Sequence, residues 1–308
     1  LHRAGVVQYI RPEIVGFVLG ALAAAMIAGE FRPRGGSAPL VRFFLGIFAM
    51  IGALVFLGCP WRAILRLAGG DWNAVTGLAG LAAGIGVGVL FLKSGYSLGR
   101  AQAQKAASGY LFPLFMAGLF LLAAFPVTFA EGGPIFFSQK GPGSQHAPLL
   151  LSLGAGLVVG AIAQRSRFCT MGALRDVILL RDFHLMSGVA ALLVAATAMN
   201  LVLGQFKPGF EGQPVAHTAH LWNFLGMVLA GLSFVLAGGC PGRQLFLSGE
   251  GDLDAGIFAL GMIVGAGVSH NFNMASSPAG AAAFGPAGVI VGLVFCLAVG
   301  FAMREMSR

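Results

Sequence analysis

The chain has 308 residues, of which 57% are hydrophobic and only 10% are charged. Soluble domains carry roughly 25% charged residues, so this composition excludes an ordinary soluble globular protein. The formal net charge of +8 is typical of a membrane protein whose basic residues gather on one side of the bilayer, and we expect no nucleic-acid partner.

Nine apolar segments follow one another along the chain. A helix needs about 17–25 apolar residues to cross a bilayer, whereas barrel strands alternate in polarity over about ten residues. We therefore predict an all-α polytopic membrane protein embedded in lipid. The predicted membrane helices cover residues 14–29, 40–58, 72–92, 110–130, 149–163, 184–205, 221–239, 253–270 and 286–303.

Two of these helices end in the same tripeptide, Gly-Cys-Pro, at Cys59 and Cys240. The links that follow are too short to cross the membrane and too apolar to be ordinary aqueous loops. Non-helical backbone at membrane depth persists only where protein or a water-filled cavity satisfies its polar groups. We interpret both links as cysteine-bearing, re-entrant helical loops.

The two links belong to an internal repeat with an offset of 181 residues. The offset aligns the cysteines, the prolines, a pair of arginines, a pair of Gly-Asp dipeptides and a series of glycines. We predict two inverted repeats, 1–130 and 149–308, joined by a linker at 131–148. Helix 149–163 and its cysteine-bearing tail have no partner, so we expect a further cysteine segment upstream of Leu1. The aligned pairs are Cys59/Cys240, Pro60/Pro241, Arg62/Arg243 and Asp71/Asp252.

Basic residues predict the orientation. If the C-terminus is cytoplasmic, the links on that side hold 13 of the 19 Lys and Arg residues, as the positive-inside bias requires. The Cys59 link then lies on the outer side and the Cys240 link on the inner side. Halves of opposite topology that meet near the midplane are a recurrent plan of transporters.

Each Gly-Cys-Pro-x-Arg unit combines a thiol, a guanidinium and a helix N-terminus. Pro60 and Pro241 suit the first turn of a helix, helix N-termini favour anions, and an intramembrane arginine indicates a functional site. The alternative is that the cysteines only pack and that the arginines clamp Asp71 and Asp252. We favour the functional interpretation for the cysteines and leave both interpretations open for Arg62 and Arg243.

A third cysteine, Cys169, lies in the basic stretch RSRFCTMGALRD. Its arginines would attract anions, although a plain cytoplasmic basic cluster explains Arg165 and Arg181 better. Arg167 remains a structural or gating candidate. Cys296 has apolar neighbours and is interpreted as a lipid-facing or packing residue. No pattern of catalytic residues, metal ligands or cofactor-binding residues stands out, so we predict a protein that is not an enzyme and binds no cofactor.

The stretches GCPWR, GGCPGR and RSRFCTMGALRD resemble the YeeE/YedE family of sulfur-related membrane transporters. The opening LHRAGVVQYIRPEIVGF is most similar to the branch linked to selenium metabolism. The resemblance implies inverted repeats in an hourglass, located in a bacterial inner membrane. It also implies a substrate path along Cys59, Cys169 and Cys240, and a soluble sulfur-carrier partner of the TusA/YedF type.

The resulting hypothesis is an uptake transporter or channel for a small sulfur- or selenium-containing species, such as a thiosulfate-like ion. A neutral thiol is a weak donor and a polarizable neighbour for such a species. One alternative is a membrane relay that moves sulfur or selenium by thiol exchange. The other is a soft-metal transporter, for example for copper, because thiolates and thioethers suit that ion.

Overall fold

Helices account for nearly all of the regular structure. The computed structural model describes residues 9–125, 137–140 and 143–304. Two antiparallel strands of two residues each, β1 (Arg34–Gly35) and β2 (Gln102–Ala103), form the sheet of this part of the chain. The helices are α1 (Pro12–Ile27), α2 (Pro39–Phe56), α3 (Pro60–Ala68), α4 (Asn73–Lys93), α5 (Ala106–Gly109), α6 (Leu111–Ala124), α7 (Leu149–Arg165), α8 (Thr170–Leu180), α9 (His184–Val202), α10 (His220–Ala237), α11 (Pro241–Gly249), α12 (Leu253–Asn271) and α13 (Gly285–Ala302).

The nine predicted segments all contain helices, which are α1, α2, α4, α6, α7, α9, α10, α12 and α13. Within the described residues, seven spans are long and apolar enough to cross a membrane, while α1 and α6 are shorter apolar helices. Helix α6 ends at Ala124, and the remainder of the predicted segment 110–130, from residue 126 onward, lies outside the described residues. The protein is thus an all-α, multi-pass membrane protein.

The chain packs into two compact units, each built from three separate pieces. Unit 1 contains residues 1–39, 100–168 and 242–259; unit 2 contains residues 40–99, 169–241 and 260–308. Helices α1, α6 and α7 belong to unit 1, whereas unit 2 holds α3, α4, α8, α9, α10 and α13. Much of the predicted linker 131–148 lies outside the described residues, and the division at that linker stays a prediction.

Glycines bring helix backbones together in both units. In unit 1, a Cβ added at Gly16 of α1 would lie 2.7 Å from the carbonyl carbon of Gly156 in α7. In unit 2, Gly84 of α4 faces the carbonyl of Val228 in α10. Small residues allow this close approach in lipid, where van der Waals packing holds helices together.

The repeat predicted from the sequence reappears in these contacts. Gly80 and Gly84 of α4 pack on the carbonyls of Phe224 and Val228 in α10, and the positions 181 residues away repeat the arrangement. The glycines are therefore packing residues, as predicted. The equivalent contacts join Gly261 to Phe43 and Gly265 to Ile47, between α12 and α2.

The equivalent helices α2 and α10 run antiparallel where they cross. A Cβ added at Gly226 would lie 2.9 Å from the Gly52 carbonyl and 3.3 Å from Val55 Cβ. A Cβ at Gly52 would lie 3.1 Å from the amide of Ala230, further along α10. Residues further along α2 thus contact residues earlier in α10, which is the relation expected of inverted repeats.

The two helix breaks share backbone geometry as well. Leu57 and Gly238 adopt positive φ angles of 70° and 86°, and Gly70 and Gly251 both have φ of 94°. A left-handed residue commonly ends a helix, and glycine adopts it without strain. Each membrane helix therefore ends just before its cysteine, and each short helix ends just before its aspartate.

Candidate functional site

Three cysteines stand immediately before helices that start within the apolar part of the chain. Cys59 and Cys169 are the N-cap residues of α3 and α8, both with extended backbone. Cys240 directly precedes Pro241, the first residue of α11. Pro60 occupies the first turn of α3, where its missing N–H removes no helical hydrogen bond. The sequence motifs therefore mark helix starts, as predicted.

The three thiols come together in unit 2. The side chain of Cys169 is in hydrogen-bonding contact with that of Cys240, and Cys59 is close enough to Cys240 for an electrostatic interaction. Cys240 is 0% exposed and Cys169 is 6% exposed, whereas Cys59 is partly accessible and all three are reduced. Residues from three distant parts of the chain thus form one cluster, which we call the thiol cluster.

Helix N-termini surround the thiol cluster with N–H groups. The backbone N–H of Gly172 donates to Cys169 Sγ at 3.2 Å. The backbone N–H groups of Trp61 and Arg62 lie near the Cys59 sulfur, although the Cys59 side chain makes no capping hydrogen bond. Such groups favour an anion or an electron-rich sulfur atom.

Polar side chains satisfy the carbonyl groups exposed where α2 breaks before Cys59. His217 Nε2 donates to the carbonyl of Val55 at 2.8 Å, and Arg66 Nη1 donates to the carbonyl of Phe56 at 2.9 Å. The last carbonyls of a helix have no intrahelical partner, and lipid offers them none. The break therefore depends on these two side chains.

At the second break, which ends α10, different side chains satisfy the exposed carbonyl groups. The hydroxyl of Tyr96 donates to the carbonyl of Leu236 at 3.0 Å, and Arg42 Nη1 donates to that of Ala237 at 2.7 Å. These carbonyls are 181 residues beyond those of Val55 and Phe56. The backbone repeat is conserved between the halves, while its capping side chains differ.

Asp71 forms a buried ion pair with Arg66. Arg66 Nε lies 2.6 Å from Asp71 Oδ2, and the two side chains are 8% and 6% exposed. Asp71 Oδ1 also accepts hydrogen bonds from the backbone and side-chain amides of Asn73, at 2.9 Å each. Arg62, the residue considered for this clamp, is exposed, and its stem packs against Gly58, beside the cysteine.

In unit 1, Glu250 joins the arginines of two predicted motifs. Glu250 Oε1 lies 3.2 Å from Nη1 of Arg243 and 3.2 Å from Nη1 of Arg167, and the residue is 2% exposed. Asp252, the partner considered for Arg243, pairs instead with Arg34 at 2.8 Å. For Arg243 this geometry favours a structural role.

Glu30 extends this network at the end of α1. Glu30 Oε2 accepts hydrogen bonds from Gln164 Nε2 and Arg167 Nη2, both at 2.8 Å, and Arg165 lies 3.2 Å from Oε1. The amide of Gln164 and the guanidinium groups of Arg167 and Arg165 lower the pKa of Glu30. Arg167 thus bridges two carboxylates, and its structural or gating role stays a prediction.

Sequence reasoning missed several of these residues, and one signal could have found them. Charged residues make up only 10% of the chain, so each one within or beside an apolar segment requires a partner. That rule singles out the following residues as positions to pair: Glu30, Arg34, Arg42, Arg66 and Glu250.

The fourth cysteine and a cavity in unit 1 are not part of the thiol cluster. Cys296 Sγ lies 3.2 Å from Ser233 Oγ, and both residues are 0% exposed, in agreement with packing. In unit 1, a cavity of 410 Å³ is lined by residues 9–13 and 145–155. Across the described ranges, no group of three or more His, Cys, Asp or Glu residues is arranged to hold a metal ion.

The fold and the thiol cluster together define a polytopic membrane protein with reduced cysteines gathered at broken helices. Residues 165–300 match the protein family described as Sulphur transport, a range that includes Cys169 and Cys240. Over this part of the chain the match supports the resemblance to the YeeE/YedE family, while the assignment to a selenium branch finds no support in the matches.

Two curated proteins are similar to part of the chain, and both are named Thiosulfate transporter TsuA. The protein from Escherichia coli strain K12 is 30% identical over 104 residues, which cover 33% of this chain and 29% of that protein. The protein from Spirochaeta thermophila is 32% identical over 105 residues, which cover 34% of this chain and 31% of that protein. The matched segments thus span less than a third of each relative.

Proposed function

We propose that the protein transports a small sulfur-containing anion, such as thiosulfate or its selenium analogue, along Cys59, Cys169 and Cys240. The gathering of three reduced thiols from distant segments in unit 2 is the observation that carries the proposal. The similarity to two thiosulfate transporters supports the choice of substrate class.

The chemistry of the thiol cluster suits transit. A neutral thiol can donate a weak hydrogen bond to a terminal sulfur atom, and its polarizable sulfur attracts that atom without repelling it. The helix N-termini add N–H groups for the negative charge. Several weak sites in sequence allow an ion to enter and to leave.

The neighbouring motif residues serve this path. Pro60 and Pro241 fix the helix starts that present Cys59 and Cys240. Arg62 is exposed beside Cys59 and attracts the anion to the path. In this scheme the ion pairs of Asp71, Asp252, Arg167 and Arg243 hold the loops in place.

The setting of the protein is part of the proposal. We place it in a bacterial inner membrane with the C-terminus in the cytoplasm, since the basic links then follow the positive-inside bias. A soluble sulfur-carrier protein of the TusA/YedF type would receive the imported sulfur. Copurification of a tagged carrier with the protein, in cells supplied with thiosulfate, tests that partner.

Uptake into proteoliposomes tests the transport itself. Radiolabelled thiosulfate, selenosulfate, selenite and copper(I) are compared for the unaltered protein and for Cys59→Ala, Cys169→Ala and Cys240→Ala. Cys296→Ala is the matched control because its thiol is buried against Ser233. We expect thiosulfate uptake that falls at least ten-fold in the three variants and persists in the control. Uptake that survives all three replacements contradicts the proposed path, and uptake of copper alone favours the soft-metal alternative.

One observation favours a relay as the second candidate function. A persulfide would form when a cysteine thiolate attacks the terminal sulfur of thiosulfate and sulfite leaves. The contact between the Cys169 and Cys240 side chains would then let the thiolate of one cysteine attack the outer sulfur of a persulfide on the other, which leaves as a thiolate. A relay predicts labelled sulfur bound covalently to these cysteines and released by reductant, without accumulation inside the vesicles. Mass spectrometry of the protein after loading distinguishes it from transport.

A further inference from the structure

Thr170 carries a buried hydroxyl at the start of the helix that Cys169 caps. It is the first residue of α8, directly after Cys169, and it is 3% exposed. Its Oγ1 atom is fully enclosed and has no hydrogen-bond partner in the described structure. A buried polar group without a partner destabilises a protein, so its presence requires an explanation.

Two hydroxyl groups further inside helices of this chain find partners one turn earlier. Thr197 donates to the carbonyl of Leu193 at 2.8 Å, and Ser269 donates to that of Gly265 at 2.7 Å. Thr170 lacks this option because it begins its helix, and no helical carbonyl lies one turn before it. Its position at the helix start therefore leaves the hydroxyl available for a ligand.

The same helix start offers further donors. The first N–H groups of a helix have no intrahelical acceptor. Gly172 N–H is satisfied by Cys169 Sγ, and Ala173 N–H is satisfied by the Cys169 carbonyl. The N–H groups of Thr170 and Met171 precede these and, as the first of the helix, point toward its N-terminal end, which Cys169 caps.

We propose that Thr170 binds the oxygen end of the transported anion. The inference rests on the proposed function and deepens it. The thiols contact the terminal sulfur or selenium, while the Thr170 hydroxyl and the first N–H groups of α8 donate to sulfonate-type oxygens. Thr170 thereby selects ions that carry both a soft terminal atom and oxygen atoms, and disfavours hydrosulfide, which has no oxygen.

Substitutions that remove the hydroxyl donor with or without a change in side-chain volume test this role. Thr170→Val keeps the shape and removes the donor, Thr170→Ala removes both, and Thr170→Ser keeps the donor. Thr197→Val is the matched control, since it removes a threonine hydroxyl that already has a helical acceptor. Binding of thiosulfate to purified protein is measured by calorimetry, and its uptake is measured in proteoliposomes.

We expect Thr170→Val and Thr170→Ala to weaken thiosulfate binding about ten-fold to one hundred-fold, with Thr170→Ser and Thr197→Val close to the unaltered protein. Thr170→Val should unfold at the same or a higher temperature, because the lost hydroxyl has no partner. Unchanged binding in both Thr170→Val and Thr170→Ala, or equal losses in Thr170→Ser, would overturn the inference.

The two measurements keep this inference distinct from the proposed function. Uptake that proceeds with unchanged affinity in Thr170→Val overturns the role of Thr170 and leaves transport standing. Binding that depends on Thr170 without any uptake supports the site and contradicts transport. A protein that neither binds nor transports thiosulfate contradicts both.

Discussion

The ion pair between Arg66 and Asp71 holds the turn that follows α3. Its atoms are 2.6 Å apart and both side chains are almost fully buried, so neither charge has water as an alternative partner. We expect Asp71→Asn to lower the free energy of unfolding by about 3–5 kcal/mol, since it leaves a buried guanidinium uncompensated. Thermal unfolding in detergent, followed by intrinsic fluorescence, measures the loss.

An exposed ion pair serves as the control for that substitution. Nη1 of Arg11 lies 3.3 Å from Oε1 of Glu13, and the two side chains are 53% and 32% exposed. Pairs of this kind contribute about 0–1 kcal/mol to the free energy of unfolding. Glu13→Gln should therefore leave the unfolding temperature nearly unchanged. Equal effects of the two substitutions would show that the buried pair has no special weight.

His217 makes the first helix break sensitive to pH. It lies in the link between α9 and α10, where burial lowers its pKa below the ordinary 6.5. The hydrogen bond to the Val55 carbonyl raises the pKa, whereas the charges of Arg66 and His220 lower it further. The unfolded chain therefore binds more protons below about pH 6.5. Stability is complete above that pH and falls as pH drops through the lower pKa of the folded protein.

A His217→Gln variant checks this origin of the pH dependence. Glutamine can still donate to the Val55 carbonyl but does not titrate, so the unfolding temperature of the variant should vary less between pH 7 and pH 5. Parallel curves for the two proteins would assign the acid sensitivity to other groups. The equivalent donor at the second break, Tyr96, remains neutral throughout this range.

At the level of helices, two pairs of equivalent glycines differ in how tightly they are packed. Gly84 faces the Val228 carbonyl, and a Cβ on Gly265 would lie 2.6 Å from the Ile47 carbonyl. Gly86 and Gly267, two residues further along, have no heavy atom within 4 Å of such a Cβ. Only the first pair therefore requires glycine for packing.

We expect Gly84→Ala and Gly265→Ala to destabilise the protein by about 1–3 kcal/mol each, because overpacking displaces helix backbones. Gly86→Ala and Gly267→Ala should be neutral or stabilising, since alanine forms helices more readily than glycine. Thermal unfolding of the four variants measures the contrast. Losses of similar size in both pairs would contradict the packing described here.

The helices were predictable from the sequence because apolar length is a strong signal, and the repeat was predictable because two cysteine motifs share one spacing. The pairing of charges was not. Arg62 and Arg66 are four residues apart and share one face of α3, so spacing alone cannot decide which reaches Asp71. Arg66 lies in the last turn, nearer the aspartate, and that position gives it the contact.

At the scale of the whole molecule, contacts between links show which links share a membrane face. In unit 1, Arg34 N–H donates to the Gly251 carbonyl at 3.2 Å, and β1 pairs with β2. In unit 2, Ser97 N–H donates to the Met303 carbonyl at 3.1 Å, and Gly209 N–H donates to that of Gly70 at 3.0 Å. Every one of these pairs joins links that the predicted alternation of helices puts on one side.

The predicted alternation of helices allows two orientations, and the positive-inside bias favours the one with a cytoplasmic C-terminus. The links with Gln104 and Met303 should face the cytoplasm, and the link with Gln205 should face outward. In whole cells, a membrane-impermeant maleimide should label Gln205→Cys at once and Gln104→Cys only after permeabilisation. Both side chains are exposed, and the protein with only its native cysteines gives the background. Labelling of Gln104→Cys from outside would show that the orientation is the reverse of the predicted one, with the Cys59 break on the cytoplasmic side.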